Sequence, residues 1–123
     1  MLPARETGDL STTWGTFVVL WGLPIALGVL ASVAYESGIF SYILSYGLWI
    51  VAATWFGLGC LANARRCGRV HCWVDGIGMP ALAVAGAISL SGLYNFSLGA
   101  FGVAFWVILV TSFCVEYVWK RYI

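Results

Sequence analysis

"CLANARRCGRVHCWVDG", residues 60–76, is the one long polar interruption in an apolar chain, and its reading decides the fold. It holds three of the four cysteines (Cys60, Cys67, Cys72), the single histidine (His71) and three of the six basic residues (Arg65, Arg66, Arg69). The chain of 123 residues around it is 62% hydrophobic and 9% charged. A soluble domain averages about 25% charged residues. A small soluble domain also leaves much of its surface in water, so this much apolar area needs lipid. The net charge of +1 excludes the basic face that nucleic acid requires.

Outward from the interruption lie four apolar runs, at about 14–34, 39–61, 76–93 and 98–118. Each has roughly 18–23 residues; at about 1.5 Å per residue these span a hydrocarbon core of about 30 Å. Helix is the expected state, because an open strand would leave its backbone unpaired in lipid and barrel strands alternate in polarity. The chain therefore reads as one all-α integral membrane domain, residues 1–123, folded as a four-helix transmembrane bundle. The links "YESG" (Tyr35–Gly38) and "YNFS" (Tyr94–Ser97) are short enough to force two antiparallel hairpins. The stretch 62–75 is then the only long connection. Ser11, Thr12 and Thr13 are N-cap candidates for the first span, and Pro24 is a candidate kink within it.

The basic residues give the orientation. Arg5, Arg65, Arg66, Arg69, Lys120 and Arg121 all fall on the two tails and the 62–75 link, which share one side. The positive-inside rule makes that side, with both termini, cytoplasmic. Arg65, Arg66 and Arg69 are expected to set this topology and to touch anionic headgroups. The location implied is a prokaryotic inner or plasma membrane, crossed several times. "ASVA" (Ala31–Ala34) has the small residues of a cleavage site, but the preceding run is too long and its flank too weakly basic; the first span is expected to be retained. The glycosylation pattern Asn95-Phe96-Ser97 lies too near the membrane to be expected to act. Small residues concentrate on the third span (Ala81, Ala83, Ala85, Gly86, Ala87, Ser89, Gly92), with Gly57 and Gly59 on the second and Gly99 and Gly102 on the fourth. Such residues let membrane helices approach closely, and they point to the third span as the interior helix.

The chemistry sits at the cytoplasmic end. If the second helix ran on, Cys60, Cys67 and His71 would lie within about 20° of one helical face. A break at Gly68 would instead gather Cys67, His71 and Cys72 in a loop. Cys114, near the end of the fourth span, lies at similar depth, as do Asp75 and Glu116. Thiolate and imidazole suit soft metal ions, and a reducing cytoplasm favours metal or redox roles over structural disulfides. Cys67, His71 and Cys72 are the expected primary ligands, with Cys60 and Cys114 secondary, for Cu, Zn or Hg. The spacing C-x6-C-x3-H-C lacks the paired knuckles of zinc modules. Each thiol also has a plain reading, since buried cysteine often serves as a small hydrophobe. The spans hold almost no ionisable groups, which disfavours proton coupling.

In size, four-span plan and inner-side cysteines the chain resembles small bacterial mercury-uptake proteins, which implies mercury or copper as ligands. Those proteins carry adjacent cysteine pairs, one usually in the first helix; this chain has neither. Three functions are expected in order: binding of a thiophilic metal, with transport as its extension, a non-catalytic subunit or scaffold of a larger membrane complex or homo-oligomer, and a thiol redox sensor using Cys67 and Cys72. Enzymatic readings are weak: the chain has no Ser-His-Asp set in a plausible order and no H-E-x-x-H site.

Overall fold

The computed structural model describes Leu10 and residues 13–119, apart from the side chain of Cys67. Arg5, Ser11, Thr12, Lys120 and Arg121 lie outside the described residues. Four long helices follow one another: α1 (Trp14–Glu36), α2 (Tyr42–Cys67), α3 (Val70–Leu90) and α4 (Leu98–Val118). Their most apolar windows have mean hydropathies of 2.3, 1.5, 1.5 and 2.2, so all four are long and apolar enough to cross a membrane.

Local chemistry explains the ends. Ser41 and Ser97 cap α2 and α4 by accepting from the backbone N–H of Leu44 at 3.2 Å and of Ala100 at 3.1 Å. Thr13 stands at the N-cap of α1 without a side-chain cap bond. Within α1, residues Val18–Gly22 widen into a π segment just ahead of Pro24. A proline cannot donate to the carbonyl four residues back and crowds it, and a π turn relieves that crowding without breaking the helix.

The largest departure from the sequence reading is the stretch 62–75. It is helical except at Gly68 and Arg69. Ala62, Ala64, Arg65 and Arg66 are good helix formers, so α2 simply continues. Gly68 stops it: its φ of 70° is left-handed, and its N–H bonds the Ala64 carbonyl at 2.8 Å. Arg69 is extended, and α3 begins at once. The expected polar loop is thus two helix ends whose polar side chains turn inward: Asn63, His71, Cys72 and Asp75 are all buried.

Glycine makes the α2–α3 contact close. A Cβ on Gly57 would lie 2.5 Å from Pro80 Cδ, and one on Gly76 would lie 3.0 Å from the Leu61 backbone. The most enclosed helix is α2, not α3: half of its apolar window is buried, 50% against 33%. The small residues of α3 serve one face only, with Ala83 and Gly86 buried and Ala81 and Ala87 exposed. The interior is filled by α2 aromatics. Tyr46 meets Phe101 at 5.4 Å, Trp49 meets Phe105 at 5.1 Å and Phe56 meets Phe105 at 5.6 Å, all edge-on. Gly99 and Gly102 on α4 face open space, so they are not close-packing residues within this chain.

Candidate functional site

The short Gly68-Arg69 link fixes the register of α2 against α3 and brings two thiols together. Cys60 on α2 and Cys72 in the first turn of α3 are both fully buried and belong to one core cluster. Each sulfur receives an N–H. Trp21 on α1 donates from Nε1 to Cys60 Sγ at 3.0 Å, and Asn63 donates from Nδ2 to Cys72 Sγ at 3.4 Å. Asn63 is itself held by the backbone N–H of Leu10, which donates to its Oδ1 at 2.7 Å.

Cys72 also meets an imidazole. His71 Nε2 lies 3.3 Å from Cys72 Sγ, and the other ring nitrogen, Nδ1, bonds Glu116 on α4. The ring stacks on Phe113, centroids 4.5 Å apart and planes 19° apart. Glu116 has two further partners: Arg69 Nη2 donates to Oε1 at 2.8 Å, and the His71 backbone N–H donates to Oε2 at 3.1 Å. The carboxylate thereby caps the N-terminus of α3, where free N–H groups and the helix dipole favour negative charge. The result is a thiol, an imidazole in contact with it and a carboxylate that orients the imidazole. That is the arrangement by which a nucleophile is activated and its base held in place.

A second buried acid stands beside the thiols. Asp75 is fully buried and takes a 3.0 Å hydrogen bond from Ser112 Oγ on its Oδ2. Its Oδ1 has no hydrogen-bond partner among the described residues. Next to Cys60 lies a cavity of about 290 Å³, lined by Phe17, Trp21 and Ile25 of α1, Phe56 and Cys60 of α2, Arg69 and His71, and Leu109 and Phe113 of α4.

Of the residues singled out in the sequence, Cys60, His71 and Cys72 come together. Cys114 does not: it is exposed on α4, against a surface hollow lined by Trp106, Leu109, Val110, Phe113, Tyr117 and Val118. The backbone of Cys67 closes α2, and its side chain lies outside the described atoms. Gly68 separates Cys67 from His71, so the two do not share one continuous helix. Arg65 and Arg66 are exposed in the last turn of α2, where positive charge suits the helix dipole. Arg69 instead turns onto Glu116, and its side chain is only 14% exposed. The described residues contain no group of three or more His, Cys, Asp and Glu side chains placed to hold a metal ion. Asn63 and Trp21 were not foreseen as site residues; nothing near them in sequence marks them as partners of a thiol. Comparison with protein-family models, with curated proteins and with solved structures finds no match to this chain.

Proposed function

We propose that this is a multi-pass membrane protein whose Cys60–Cys72 pair is a reversible dithiol centre, so that the chain acts as a thiol redox sensor. The observation that carries the reading is that two fully buried thiols share one core cluster, one of them held by His71 and Glu116. Oxidation removes one proton and one electron from each thiol and joins the sulfurs. His71 is placed to take the Cys72 proton. The new bond would tie α2 to α3, so the redox state would be written into helix packing. The pair replaces the Cys67–Cys72 pair expected from the sequence.

The spans form two antiparallel hairpins in this reading. Arg65 and Arg66 mark the Gly68 end as cytoplasmic by the positive-inside rule. There the resting state is reduced, and disulfides are transient and informative.

A second reading uses the same atoms. A soft ion such as Cu⁺, Zn²⁺ or Hg²⁺ would draw on Cys60, Cys72 and His71, which would have to close around it, since the described side chains do not stand as a three-donor group. The N–H groups of Trp21 and Asn63 on the sulfurs favour this reading, because they support thiolate ligands.

One experiment separates the two. The protein is purified reduced, its metal content is measured, and it is then titrated with diamide and its free thiols alkylated and mapped. A Cys60–Cys72 disulfide in metal-free protein supports the sensor. Stoichiometric metal, lost in Cys60→Ser and Cys72→Ser and blocking the disulfide, supports the metal site. Two thiols that neither pair nor bind metal refute both.

A further inference from the structure

A dithiol that becomes a disulfide must give two electrons and two protons to something. We propose that the acceptor is a lipid-soluble quinone, and that its ring occupies the cavity beside Cys60. The proposal rests on the dithiol reading of the same site.

Four features of the cavity select this class. First, its walls are mostly apolar helix surface: α1 and α4 flank it, with α2 behind. Second, its walls suit a flat ring, since Phe17, Trp21, Phe56 and Phe113 contribute four aromatic faces or edges. Third, its polar end carries the Arg69 guanidinium and the His71 imidazole, the kinds of group that meet a carbonyl oxygen. Fourth, its size is limiting. A cavity of about 150 Å³ takes one benzene ring. About 290 Å³ holds one substituted ring and excludes a tricyclic flavin or a porphyrin.

The two cysteines then have different tasks. Cys60 lines the cavity and Cys72 stands behind it, against His71. Cys72, its own proton passed to His71, takes the Cys60 proton as the Cys60 sulfur adds to the quinone ring; the displaced carbonyl π pair moves to oxygen, which takes the proton held by His71. The Cys72 thiolate, this second proton passed to His71, attacks Cys60 Sγ. The sulfur–sulfur bond forms as the sulfur–carbon bond breaks. That pair stays on the ring, which takes the second proton. One quinone and two thiols become one hydroquinone and one disulfide, and the two protons gained by the ring are the two lost by the thiols. A cytoplasmic low-molecular-weight thiol would reverse the bond by exchange.

The test uses the full chain in lipid nanodiscs, reduced and anaerobic, with decylubiquinone as probe. Hydroquinone and Cys60–Cys72 disulfide are read together, beside a parallel reaction with diamide. The wild type is expected to yield one hydroquinone per disulfide. Ile25→Trp fills the cavity from α1 without replacing either cysteine or a residue that bonds one. It should slow the quinone reaction by about tenfold or more, the effect of weakening binding by about 1.4 kcal/mol. The diamide reaction of that variant, which needs no bound ring, reports whether the bundle still folds. Disulfide with diamide but none with decylubiquinone overturns the quinone proposal and leaves the dithiol intact. An unslowed quinone reaction in Ile25→Trp overturns the cavity as its site. If diamide also fails in the wild type, the dithiol reading itself falls.

Discussion

Gly57→Ala is the sharpest probe of how the thiols are brought together. A Cβ at this position would sit 2.5 Å from Pro80 Cδ, 2.9 Å from Pro80 Cγ and 3.0 Å from Met79 Cβ. Carbon atoms rest about 3.5–4.0 Å apart, so α2 and α3 must separate by about 1 Å. The proline ring cannot rotate away, because it is part of the α3 backbone. Overpacking of this kind costs about 1–3 kcal/mol, and the rigid obstacle places it at the upper end. Replacing glycine by alanine in a helix returns about 1 kcal/mol. The net loss expected is therefore about 1–2 kcal/mol. Gly47→Ala is the control: it lies on the same helix with nothing within 4 Å of its added Cβ, and it should gain stability or leave it unchanged. Both variants are compared by SDS-titration unfolding in mixed micelles. Gly57→Ala should also slow disulfide formation between Cys60 and Cys72, because the helices that carry them are wedged apart. Equal stability of the two variants, with equal disulfide rates, would refute the close-packing argument.

Other outcomes follow from the polar cluster. Glu116→Gln breaks the Arg69 ion pair and weakens the bonds to His71; a loss of about 2–3 kcal/mol is expected in the same titration, and an unchanged midpoint would show the cap is dispensable. Asp75→Asn keeps the shape and can still bond Ser112, so it should cost less than removing that hydroxyl. Ser112→Val removes the one hydroxyl that serves the buried Asp75 carboxyl, and should cost about 1–3 kcal/mol; the contrast between these two variants is the check. Cys114 is exposed on the apolar surface and should react faster with a membrane-permeant maleimide than the buried Cys60 and Cys72; equal rates for all three would contradict their burial.

The four helices were legible because continuous apolar runs of membrane length admit only one secondary structure. The expected span 98–118 coincides with α4. The ends of α2 and α3 were not legible from polarity. Hydropathy reports the medium a residue prefers, not the path of its backbone. Asn63, His71, Cys72 and Asp75 look like loop residues because they are polar, yet they lie on helices inside the bundle, where Cys72 meets Asn63 and His71 and Asp75 meets Ser112. Gly68 carried the real signal, a helix stop at one residue.

The site was legible in depth and not in direction. Cys60, Cys72, Cys114 and Glu116 were all placed near one end of the spans. Which of them face inward depends on helix rotation, and α4 is apolar all round, so its sequence sets no inward face. Cys114 turned outward and Glu116 inward. Trp21 reaches Cys60 from 39 residues away, a contact that only the packing of α1 on α2 creates.

The most direct measurement is the state of the thiols in membranes. Cells are acid-quenched with and without brief diamide exposure, free thiols are blocked with one alkylating label, and disulfides are reduced and labelled with a second. Peptides carrying Cys60 and Cys72 are then weighed. The account predicts that both take the second label together after oxidation, that a thiol reductant restores the first, and that Cys60→Ser abolishes the change at Cys72. Cys72 paired with another cysteine, or both thiols keeping the first label throughout, would contradict it.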